Sequence, residues 1–134
     1  MIQFKKENGE RYCNQLATDF TKRLDPLVQT AIKDLNEFTE NTFGKSVTIT
    51  CVNRSVIDNK KVGGSSTSAH LDRPEGRRAV DLRSRGLSES EIKRIVEYLK
   101  HRWGGLLYVL VHNAGTGPHI HINLRWDHAR HSFH

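Results

Sequence analysis

The stretch GPHIHINL, residues 117–124, decides how this chain folds. Its apolar residues, Ile120, Ile122 and Leu124, alternate with His119, His121 and Asn123. Alternation with a period of two is the pattern of a strand with one dry face and one wet face. The Gly-Pro pair in front marks a turn. One face of the strand must therefore rest on a core. The other sets two imidazoles side by side, which a merely solvated strand does not require.

The rest of the chain is read outward from that strand. LLYVLV (106–111) is an apolar run of strand length and reads as a buried strand. In LSESEIKRIVEYLKHRW (87–103), Ser88 and Glu91 have the spacing of a capping box. Ile92, Ile95, Val96, Leu99 and Trp103 supply that helix's apolar stripe, and Gly104-Gly105 stop it. RAVDLR (78–83) and the β-branched SVTITCVN (46–53) read as two more strands. Residues 54–78 contain GGSSTS and DRPEG and read as a long loop, of the kind that carries function or moves. Two helices come first. Tyr12, Leu16, Phe20 and Leu24 recur every four residues within Glu10–Leu24. Val28, Ala31, Ile32, Leu35 and Phe38 follow an Asp25-Pro26 start, and Gly44 ends that run. The order predicts an α+β domain, a small antiparallel sheet with helices packed on one face. Residues 1–127 are expected to form one domain and 128–134 a flexible tail.

Composition narrows the function classes. The chain has 134 residues, 36% of them hydrophobic, and a mean hydropathy of −0.62. No run approaches the roughly 18 apolar residues of a membrane span. The start, MIQFKKENGERY, has no apolar core of a secretion signal, so cytoplasmic synthesis is expected. The net charge of +6 and pI near 9.6 favour anionic partners. The charge is scattered, and no nucleic-acid motif accompanies it. Cys13 and Cys51 are too few for a disulfide framework and read as reduced packing residues. The Gly-Gly of VGGSS lacks the Lys-Ser/Thr that a phosphate loop needs.

The candidate chemistry lies in TSAHLDRPEGRRAVDL and GPHIHINL. A catalytic zinc takes three stiffly held donors and keeps a fourth position for water. His70 follows the Ser-rich loop, Asp81 interrupts an apolar strand, and His121 sits in the last strand. Taken singly, each has an ordinary explanation. His119 and His121 would face solvent, Asp81 would pair with Arg78 or Arg83, and His70 would be a loop histidine. Together they make a three-donor set.

These residues also carry a resemblance. Arg54-Ser55, Gly63-Gly64-Ser65, Ser68-Ala69-His70, Arg78-Ala79-Val80-Asp81 and His119-Ile120-His121 resemble the core of the zinc D-Ala-D-Ala carboxypeptidase family. That family belongs to a wider group with lysostaphin-type peptidases and the hedgehog signalling domain. The likeness covers about residues 47–125 and is strongest to small phage-type members. It implies Zn2+ on His70, Asp81 and His121, on the sheet face away from the helices. It also implies that His119 faces water or substrate, that Arg54 contacts substrate, and that Ser68 orients the loop around His70.

Two departures bear on mechanism. Ten residues, 71–80, separate His70 from Asp81, more than is usual in the family. Pro118 stands where many relatives have the glutamate that acts as base. His119 or His112 could take that role, as histidines do in lysostaphin-type relatives, and Glu75 in the loop is a further option. The implied function is hydrolysis of peptidoglycan stem or cross-link peptides by a monomer, after release to the wall or on a virion. The alternative is a non-hydrolytic zinc domain of the same fold.

Overall fold

The structure, a computed structural model, describes residues 1–52, 78–112 and 118–125, with His112 described by its backbone alone. These residues form β1 (Gln3–Phe4), α1 (Glu10–Lys22), α2 (Pro26–Phe43), β2 (Thr48–Cys51), β3 (Ala79–Arg83), α3 (Glu89–Trp103), β4 (Leu107–His112) and β5 (His119–Leu124). A 3-10 turn, Gly104–Leu106, joins α3 to β4. The 54–77 part of the expected loop, with Arg54, Ser68, His70 and Glu75, and the 128–134 tail lie outside the described residues.

Local chemistry sets the helix ends. The Asp25 side chain accepts from Leu27 N at 2.9 Å, and Pro26 occupies the first turn of α2. Gly44 closes α2 at φ +68°, the left-handed conformation glycine adopts without strain. At α3 the capping box is complete. Glu91 N donates to Ser88 Oγ at 3.1 Å, and Ser88 N donates to Glu91 Oε1 at 2.8 Å. Helix α1 stops at Lys22, short of the expected Leu24. Arg23 N and Leu24 N both turn back onto the Asp19 carbonyl, while the Leu24 side chain stays in the core.

The sheet order is β1-β2-β3-β5-β4. Three of the pairings are antiparallel, but β1 runs parallel to β2, so the sheet is mixed rather than antiparallel as expected. The cause is the connection. Two helices lie between β1 and β2, and a helical crossover returns the chain to the end from which it left. Strand β1 itself was missed, because two residues are too short to show a period.

One hydrophobic cluster joins Leu16 and Phe20 of α1, Val28, Ile32 and Leu35 of α2, and Ile95 and Leu99 of α3 to the sheet residues Ile49, Val80, Leu82, Ile120 and Ile122. The helices therefore cover one face of the sheet, as the alternation in β5 predicts. Asn36 ties α2 to the sheet, its Oδ1 accepting from Val47 N at 2.9 Å. Asp34 ties α2 to α3 by accepting from Tyr98 Oη at 2.9 Å and Trp103 Nε1 at 3.3 Å. The strand expected to be buried, β4, is buried only in part: Leu107 lies in the core and Val109 packs against it, whereas Tyr108, Leu110 and Val111 are exposed. Among the described residues it is the last strand in the order, with a neighbour on one side only. Cys13 and Cys51 form no disulfide.

Candidate metal centre

The alternation that puts Val80, Leu82, Ile120 and Ile122 on the core sends Asp81, His119 and His121 to the opposite face. Register then brings them together. Asp81 lies directly across from His121 in the β3–β5 ladder, and Arg83 across from His119. Side chains so opposed on one face are in contact distance. The Asp81 carboxylate meets His121 Nδ1 at 3.0 Å through Oδ1, and its Oδ2 lies 3.6 Å from His119 Nε2. The partner that an acid in mid-strand requires is thus an imidazole, and the second histidine stands close by.

The cluster is shielded but not sealed. Asp81 and His119 are buried, and His121 is half-buried. A carboxylate removed from water is costly unless something answers its charge. The second ring nitrogen of His121, Nε2, lies 2.7 Å from Asn123 Oδ1. Asn123 Nδ2 donates to the Leu124 carbonyl at 2.9 Å. From β4, Tyr108 meets the His121 ring edge-on, with centroids 6.4 Å apart. Leu110 is across from His121, and the His112 backbone pairs with His119. A pocket of about 100 Å³ opens beside His119, lined by Lys5, Glu7, Thr50, Arg83, Arg85 and Pro118. A larger cavity, about 300 Å³, lies where the α2–β2 link meets the β3–α3 turn, and none of Asp81, His119 or His121 lines it.

Two of the three sequence-expected zinc donors are therefore adjacent, and the third, His70, lies outside the described residues. Among the described residues no group of three or more His, Cys, Asp or Glu could hold a metal ion. The donor pair itself fits the ion. Two donors on one tetrahedral zinc stand roughly 3.3 Å apart, so Asp81 Oδ1 and His121 Nδ1, at 3.0 Å, need open only slightly to share it. Asn123 received no role from the sequence beyond a place on the wet face. The signal for it was its spacing of two from His121, which keeps both on one face. The apolar shoulder of Tyr108 and Leu110 was hidden because the β4 run looked uniformly buried.

A carboxylate and imidazoles converging on the open face of a helix-backed sheet are the donor types of a hydrolytic metal centre. A comparison with known families adds the class: the Peptidase M15 family model matches residues 4–123. The chain belongs to the Peptidase M15 family, in line with the resemblance drawn from the motifs, and peptide-bond hydrolysis is the reaction class that membership supports. No curated protein and no solved structure matched it.

Proposed function

We propose that this chain is a zinc-dependent peptidase acting on peptidoglycan stem or cross-link peptides, as an endolysin or a virion-associated enzyme does. The observation that carries the reading is the Asp81–His121 pair on the open face, in a chain of the Peptidase M15 family. His70, Asp81 and His121 would hold the ion. When bound, it would make a water molecule acidic enough to lose its proton near pH 7, and would polarise the scissile carbonyl.

The chain's own residues supply the rest. His119 is buried beside Asp81, and it takes the proton from the attacking water and passes it to the leaving amine. It stands in for the glutamate that Pro118 displaces. His112, its partner in the β4–β5 register, is the second choice. The pocket beside His119 brings Lys5, Arg83 and Arg85 to within reach of an anionic substrate group. Arg83 is already paired with Glu7, which leaves Arg85 as the better candidate for a stem-peptide carboxylate, together with Arg54. Ser68 would orient the His70 loop. The net charge of +6 would draw the chain to an anionic wall polymer.

The loss of the usual glutamate favours one competing reading, a zinc domain that binds without cutting. Purified chain with zinc, incubated with cell walls, separates the two. The enzyme releases new amino groups, stops with a chelator, and restarts when zinc is restored. Zinc binding without release from any wall substrate would support the binding module instead.

A further inference from the structure

We propose that Asn123 is a positioning residue of the metal site. Its amide oxygen holds the Nε2–H of His121 and so leaves Nδ1 as the atom that coordinates. The inference rests on the zinc reading above and deepens it.

The Asn123 amide is buried and so must have partners for its polar atoms. An asparagine amide can sit either way round, and its neighbours decide which. Here the deciding neighbour is the Leu124 carbonyl, which can only accept. Asn123 Nδ2 donates to it at 2.9 Å, and Arg78 Nη1 donates to the same oxygen at 3.1 Å. Turning the amide over would set two acceptor oxygens against each other. Nδ2 is committed to Leu124, and Oδ1 is committed to His121 Nε2 at 2.7 Å.

An amide oxygen has no proton to give, so the proton in that bond belongs to His121 Nε2. In a neutral imidazole the other nitrogen, Nδ1, then carries the lone pair. That lone pair is directed to the side of the ring where Asp81 Oδ1 waits at 3.0 Å. Two electron-rich atoms so placed repel unless a proton or a metal ion lies between them, and zinc held by both would meet that need. A metal-bound histidine commonly donates its second N–H to an oxygen acceptor, which fixes the tautomer and stiffens the ring. Asn123 is that acceptor, and Arg78 steadies it through the Leu124 carbonyl.

The test uses the full chain loaded with zinc and labelled with ¹⁵N at histidine. Long-range ¹H–¹⁵N correlations should show His121 with a protonated Nε2 and a metal-bound Nδ1. Zinc affinity, measured by competition with a chelator, should fall 10–100-fold in Asn123→Leu, the range seen when such outer partners are lost. Asn123→Asp, which keeps an acceptor oxygen, should recover most of that loss. A metal-bound Nε2 in the wild type, or an Asn123→Leu chain that holds zinc as tightly, would overturn the assignment. If Asn123→Leu does not fold, the wild-type tautomer decides alone. A wild-type chain that takes up no Asp81-dependent zinc would sink the metal reading itself. The wrong tautomer in a chain that does bind zinc sinks only the role of Asn123.

Discussion

At the scale of single residues, the proposed function gives two histidines of one strand different roles. His121 Nδ1 lies 3.0 Å from Asp81 Oδ1, while His119 Nε2 stands 3.6 Å from the other carboxylate oxygen. His119→Ala should therefore keep zinc and lose activity, with kcat falling about 10²–10⁴-fold, the usual contribution of a general acid–base group. Metal analysis and amine release on the same preparation check both halves. Loss of zinc in that variant would make His119 a ligand instead. Arg85→Glu should raise KM on substrates with a free carboxylate far more than it lowers kcat, and a kcat effect alone would remove Arg85 from the binding pocket. Much of this was legible in advance. Asp81 between Val80 and Leu82, and His119 and His121 between isoleucines, announce their face by alternation alone. Asn123 announced the face but no role, because its role depends on which way round an amide sits. That is settled by the Leu124 carbonyl and Arg78, contacts made only after folding.

At the scale of elements, the helix starts carry the most readable signals because they are local. Ser88→Ala should lower stability by about 1 kcal/mol, since Glu91 N loses its acceptor; urea denaturation measures it. Glu91 adds a pH dependence. The Lys45 ammonium, bonded at 2.8 Å, and the Ser88 N–H hold its carboxyl below the ordinary value of 4.5. A carboxyl depressed by folding contributes its stability above the unfolded value and loses it as the pH falls through the folded one. Glu91→Gln should thus be less stable than wild type at pH 7, with the gap closing in acid. A gap independent of pH would show that the ionised carboxylate contributes nothing. The strands were less readable where their neighbours decide the outcome. β4 looked buried because its residues are apolar, yet register puts Tyr108 and Leu110 on the open face with Asn123 and His121, where they are exposed. β1 acquires its identity only by donating Gln3 N to Val47 O and Lys5 N to Ile49 O, across more than forty residues of chain.

At the scale of the whole molecule, a helix-backed sheet turns one alternating strand into both core and site. Ile120 and Ile122 anchor β5 in the hydrophobic cluster, and this fixes where His119 and His121 must point. A slip of one residue in the β3–β5 register would bury the imidazoles and expose the isoleucines. The α+β class followed from the order of elements, whereas the parallel β1–β2 pairing did not, because it depends on how two helices return the chain. If the site joins the 70 region to β3 and β5, metal binding should stabilise the entire domain. Zinc at a thousand times its Kd should add about 4 kcal/mol to unfolding. A thermal scan should show the rise in Tm, its reversal by a chelator, and no response in Asp81→Asn. A metal-insensitive wild type would separate these residues from any ion.

The most direct measurement of the central claim is zinc bound per chain, at buffered free zinc, in the wild type and in His70→Gln, Asp81→Asn and His121→Gln. The account predicts one tightly held zinc in the wild type and its loss in each of the three. One zinc retained in all three variants, or none in the wild type, would contradict it.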